Sequence, residues 1–191
     1  MDEKLEIIKQ AGELLLQNSK DAALNLINNN YRFTYQSVEK RNYSGQRMKI
    51  FARDGFIDRY SGKPLVNPGM LKILSVYYPE DFPYQAHWKM TETHIAYWEY
   101  VPTIDHIEPI AAGGADDEHN WVSTSMLNNA IKSNWTLKQL GWELYEPGAL
   151  NEWDGLSHLF VQLVKHDEKL LEDTYIKTWY KQTLSTIPAL K

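Results

Sequence analysis

The stretch TIDHIEPIAAGGADDEHNWVSTSMLNNAIKSN, residues 103–134, decides how this chain folds. A β-type run from Pro102 to Ile107 gives way to Ala111-Ala112-Gly113-Gly114 and Asp116-Asp117, a loop composition. A second short β-type run follows from Asn120 to Ser123, and Thr124 or Ser125 then stands in capping position before a helical stretch from about Met126 to Lys132. The reading is strand, loop, strand, helix. Asp105 and His106 sit side by side at the end of the first strand, and neighbours on a strand point to opposite faces. The carboxylate is thus free to bind a hard cation while the imidazole faces a reacting group. Imidazole, ordinarily titrating near pH ~6.5, suits a general base. Asn120 opens the second strand, and Asn129 lies in the helix with Lys132 three residues on. One carboxylate and one amide oxygen leave room for water and phosphate oxygens on a metal such as magnesium.

Working outward, Leu5, Ile8, Ala11, Leu14, Leu15 and Leu16 predict an amphipathic helix over 4–17, and a second runs from Ser19 or Asp21 into Asn28-Asn29-Asn30. A third is expected over 44–53, ending at Asp54-Gly55. Residues 60–83 carry Gly62, Pro64, Pro68, Gly69, Pro79 and Pro83, which predicts loops with at most short elements. An aromatic-rich stretch follows over 84–100. Leu156, Leu159, Phe160, Leu163, Val164, Leu170, Leu171, Tyr175, Ile176 and Trp179 mark a long C-terminal helix, broken once near His166. The expected organisation is an N-terminal helical element (1–40), a core (41–146) with an aromatic insertion around 65–100, and a C-terminal helical element (147–191). The fold class is α+β.

Composition bounds the rest. With 191 residues, 43% of them hydrophobic and 24% charged, the chain can bury a core and is not a disordered protein. It has no run of ~18–20 apolar residues and no signal-peptide pattern, so a cytoplasmic protein without a membrane partner is expected. The absence of cysteine excludes disulfides, thiolate zinc sites and cysteine catalysis. A net charge of −5 argues mildly against nucleic acid, but its distribution argues the other way. Lys40, Arg41, Arg47, Lys49, Arg53, Arg59 and Lys63 face only Asp54 and Asp58 over 40–63, whereas 105–146 is acidic.

Asp105-His106, Gly113-Gly114-Ala115-Asp116, Asn120, and Asn129 followed by Lys132 resemble the HNH nuclease family, built on the ββα-metal fold. Arg53-Asp54-Gly55-Phe56 resembles the segment that, in many members, leads into a Cys-x-x-Cys-Gly knuckle. Here the four cysteine positions are taken by Asp58, Ser61, Ser125 and Asn128, which offer no thiolate or imidazole. No structural Zn²⁺ is therefore expected, and hydrogen bonds should hold that corner. The match spans roughly 47–134. The resemblance implies a metal-dependent endonuclease leaving 5′-phosphate and 3′-hydroxyl ends. In it His106 is the general base, Asn120 braces the loop and the His106 ring, and Asp105 and Asn129 hold one divalent cation, Mg²⁺ or alternatively Mn²⁺ or another divalent. Arg53, Arg59 and Lys132 are placed nearest the phosphates, with Arg47 and Lys49 behind them. DNA is the expected partner, RNA is not excluded, and the C-terminal helix makes a homodimer plausible. Two other readings compete: a catalytically silent nucleic-acid-binding module of the same fold, and a protein-interaction domain.

Overall fold

The computed structural model describes residues 2–34, 43 and 45–190. It divides the chain into two units, Met1–Ser37 and Val38–Lys191. The expected boundary at 40/41, the cations Lys40 and Arg41, and the expected start of the third helix at residue 44 lie outside the described residues.

The first unit is a helical hairpin. Asp2 caps α1 (Glu3–Leu16) by accepting from the Lys4 amide at 2.8 Å. After a turn in which Asn18 takes φ 57°, α2 (Lys20–Asn30) folds back along α1. Ala11 and Ala23 are buried between the helices.

The second unit is mostly helical around one small sheet, an α+β arrangement. In α3 (Arg47–Arg53), Met48, Ile50 and Phe51 are buried. The proline-rich stretch over 60–83 departs from the sequence reading, because it contains a ten-residue helix, α4 (Pro68–Tyr77). Asn67 accepts from the Gly69 amide as N-cap, and Pro68 occupies the first turn, where its missing N–H costs nothing. The short α5 (Ala96–Tyr100) leads into β1 (Pro102–His106). β2 (Trp121–Ser125) pairs antiparallel with it, Asp105 opposite Val122 and His106 opposite Trp121. Ser125 caps α6 (Met126–Lys132), accepting from the Asn128 amide at 3.1 Å. The four-residue α7 (Leu137–Leu140) follows.

The C-terminal segment breaks near His166, where the sequence places a break, and its helices are not an element of their own. α8 (Ser157–His166) ends at Asp167, a 3₁₀ turn follows, and Asp173 caps α9 (Thr174–Thr186). Phe160, Val164, Leu170, Ile176 and Trp179 lie in the same core as Met48, Phe51, Phe56, Tyr97 and Ile104. Buried Asn67 ties α4 to both, its Nδ2 donating to Ser157 Oγ at 3.1 Å and Thr183 Oγ1 at 2.9 Å. Among the described residues no helix is long and apolar enough to cross a membrane.

Candidate functional site

Opposite faces of β1 carry different chemistry. Ile104 faces the hydrophobic core, and His106, two residues on, shares its side. Thr103 and Asp105 face α6. Asn129 and Lys132, three apart, project from one side of that helix. Asn129 Nδ2 reaches Thr103 Oγ1 at 3.4 Å, while Lys132 Nζ reaches Asp105 Oδ2 at 2.9 Å. The strand therefore meets the helix at two steps, one repeat of the pleat apart.

Lys132 corrects the sequence reading. It was placed among phosphate-contacting cations, yet it is fully buried. Its ammonium also donates to the His106 carbonyl at 2.7 Å and stands 5.6 Å from the centre of the Tyr60 ring. The Tyr60 hydroxyl donates to the same Asp105 oxygen at 2.8 Å. Burial and the neighbouring Asp105 push the Tyr60 phenol well above its usual range. Asp105 thus already has a cation and a neutral donor on Oδ2.

His106 is held by groups from the loop and from β2. Its Nε2 lies 2.8 Å from Asp116 Oδ1. Trp121 Nε1 is 3.0 Å from that nitrogen and 3.1 Å from the same carboxylate oxygen. Nε2 thus lies within reach of both the indole N–H, which donates, and the carboxylate, which accepts, and the tautomer of the ring decides which of the two it pairs with. With the proton on Nε2 the ring donates to Asp116, the indole N–H turns to the same carboxylate, and the free lone pair is on Nδ1. Tyr43 packs edge-on to Trp121, ring centres 5.3 Å apart. In the sequence Asp116 stands only as part of a loop signature. The missed signal was the placement of a carboxylate ten residues after a strand-end histidine.

Asn120 makes its side-chain hydrogen bonds within the loop between the strands. Its Oδ1 accepts from the Glu108 amide at 2.9 Å, and its Nδ2 donates to the Glu108 and Ala115 carbonyls at 2.9 and 2.8 Å. The side chain closes the base of the loop between the strands and makes no contact of this kind with the His106 ring. Gly114 is obligatory there, since a Cβ would fall 2.0 Å from the Glu108 oxygen.

The four positions matched to knuckle cysteines form a hydrogen-bonded corner. Asp58, buried, accepts from the Tyr60 amide and Thr124 Oγ1 through Oδ1, and from the Ser125 amide and Asn128 Nδ2 through Oδ2, each at 2.9 Å. Ser61 joins through its amide, which donates to the Asp58 carbonyl at 3.2 Å.

Arg53 and Arg59 differ from simple phosphate ligands. Arg53 donates to Asp54, to the Glu118 carbonyl and to the Trp121 carbonyl. Arg59 donates to Asp54 and to the Tyr145 carbonyl. With Glu118, His119, Trp121 and Leu144 they line a groove of about 470 Å³. The Arg59 side chain is 11% exposed and that of Arg53 41%, so only Arg53 presents much of itself to solvent. Arg47 and Lys49 are exposed on α3.

Asp105 and Asn129 are oxygen donors suited to a hard cation, and both belong to the β1–α6 face. Two donors, one already neutralised by Lys132, hold such an ion only when water or phosphate oxygens complete the shell. Among the described residues, no three His, Asp or Glu side chains cluster as a ligand set. No family model, curated protein or solved structure matches this chain.

Proposed function

We propose that this chain is a metal-dependent HNH endonuclease that hydrolyses phosphodiester bonds in DNA, its hairpin and following helix forming a ββα-metal core. The observation that carries the reading is one unit of structure: Asp105-His106 ends β1, Asn120 closes the loop, and Asn129 lies on α6 directly after β2. In this reading His106 Nδ1 takes the proton from the attacking water. Asp116 keeps the Nε2–H tautomer and fixes the ring, and Trp121 holds Asp116 in turn. Asn120 keeps the loop that bears Asp116 in register. Asp105 and Asn129 would hold one divalent cation, Mg²⁺ or Mn²⁺, which when bound offsets charge on the leaving 3′ oxygen. Arg53, with Arg47 and Lys49 on α3, would meet the phosphate backbone.

A second reading has an observation of its own. The Lys132 ammonium on Asp105, with no three-ligand cluster among the described residues, favours a catalytically silent nucleic-acid-binding module of the same fold. Incubating supercoiled plasmid with Mg²⁺, Mn²⁺ or chelator, wild type beside His106→Ala, separates the two. Metal-dependent nicking lost in the variant supports the nuclease. Salt-sensitive DNA binding without nicking under either metal supports the silent module.

A further inference from the structure

The N-terminal hairpin carries an apolar face beyond the one that joins its helices. In α1 the inner stripe is Ile7, Ala11 and Leu14, with Ala11 buried. A second stripe holds Leu5, Ile8, Leu15 and Leu16, exposed by 53, 56, 53 and 87%. Gly12 lies in the middle of that stripe, with nothing within 4 Å of a Cβ built on it. In α2 the inner stripe is Ala23 and Leu26, and the outer one is Leu24 and Ile27, continued by Tyr31, exposed by 56, 40 and 44%.

At about 100° per residue, each outer stripe is turned from its inner stripe by roughly 100–120° in the same rotational sense. The short turn makes the two helices antiparallel. Equal rotation on antiparallel helices brings both outer stripes to the same side of the hairpin. The result is one continuous apolar face rather than two scattered edges.

Its size says what covers it. At roughly 150–200 Å² per large apolar side chain, these exposures leave on the order of 700 Å² of apolar surface. That is close to the ~800 Å² that each partner contributes to a stable interface, and above the patch a monomer ordinarily shows.

We infer that this face is a homodimer interface, in which hairpins from two copies of the chain stack as a four-helix bundle. A two-fold axis lying in the face sets α1 of one copy on α2 of the other. Neighbouring helices then alternate in direction, as bundles favour, and Gly12 allows close approach. This moves the expected dimer contact from the C-terminal helices, which pack into the core of the second unit, to the N-terminal pair. The inference does not depend on the nuclease reading.

The test is sedimentation velocity on the full chain, between low-micromolar and high-micromolar concentration. Wild type is expected at twice the 22.3 kDa chain mass. Ile8→Lys combined with Leu24→Lys, which sets like charges on facing helices, should be monomeric where wild type is dimeric, a loss of at least about 100-fold in affinity. Gln10→Lys, on the opposite side of α1, should remain dimeric. Every tryptophan lies beyond residue 87, so unchanged tryptophan fluorescence shows that the second unit keeps its fold in each variant. A monomeric wild type across the range overturns the inference, as does a dimer that survives the double substitution.

Discussion

Replacing Asp58 by asparagine tests whether a carboxylate holds the corner matched to a zinc knuckle. The buried carboxylate receives four donors, two on each oxygen, all at 2.9 Å. Asparagine keeps one acceptor oxygen. If that oxygen stays with Tyr60 and Thr124, the new NH₂ faces the Ser125 amide and the Asn128 amide group, both donors. Two hydrogen bonds, one buried and one part-buried, are then lost and their donors stranded, at about 1–3 kcal/mol each, or roughly 2–6 kcal/mol in all. Reversing the amide strands the other pair at similar cost. For a unit the size of Val38–Lys191, at about 2–4 °C per kcal/mol, the melting temperature should fall by roughly 4–24 °C. Near-UV circular dichroism reads this through the second unit, where every tryptophan lies. A variant melting within about 2 °C of wild type would refute the reasoning.

Lys132→Met leaves Asp105 buried beside Tyr60 without its counter-ion, and should cost about 3–5 kcal/mol in guanidinium unfolding. Adding Asp105→Asn should recover part of that, and strictly additive losses would show that the two groups do not form a pair. Burial raises the phenols of Tyr60, Tyr97 and Tyr175 above the usual value of ~10. In alkali the unfolded chain therefore gives up those protons first, so stability is level below pH ~10 and falls as pH rises above it. Absorbance at tyrosinate wavelengths should show these groups ionising only with unfolding; native-state titration of all twelve tyrosines near pH 10 would contradict their burial. Asp116→Asn should shift the neutral His106 ring away from the Nε2–H form, read by long-range ¹H–¹⁵N spectra. In the proposed nuclease reading it also slows cleavage by about 10–100-fold; an unchanged tautomer would remove Asp116 from its positioning role.

The hairpin and its helix were legible because their signals are local. Alternation along Thr103–His106, glycines in the loop and a capping Ser125 each act within a few residues. The helix at Pro68 was misread for an equally local reason. Proline was taken as a breaker, although Asn67 before it and an apolar run after it describe a helix start. The break near His166 was legible, but the fate of the two resulting helices was not, since amphipathic spacing does not say which core receives the apolar side. At the site, the brace assigned to Asn120 came from the family resemblance and not from the spacing of the residues. Lys132 could not be read as buried, because a lysine is an exposed residue by default until a carboxylate is brought to it across the fold. Tyr60 meets Asp105 across forty-five positions, a contact that spacing cannot reveal.

The arrangement around β2 shows why so small a sheet stands. A two-stranded sheet is marginal alone, and its outer edge presents unpaired amides. Asp105 and Val122, and Thr103 and Thr124, face each other across the ladder, which turns the amides of Ser123 and Ser125 toward the other edge. Asp54 Oδ2 accepts from Ser123 at 2.7 Å, and Asp58 Oδ2 from Ser125 at 2.9 Å. Between those points the Arg59 amide donates to the Ser123 carbonyl at 2.9 Å. Residues 54–59 thus cap the edge as a third strand would, but through two side chains and one amide. The charges this buries are compensated in place: Arg53 and Arg59 on Asp54, four donors on Asp58. The basic segment that suggested phosphate contact in the sequence therefore spends Arg59 and much of Arg53 on the fold. Arg47 and Lys49, one turn earlier and exposed, are the cations of α3 left for a partner.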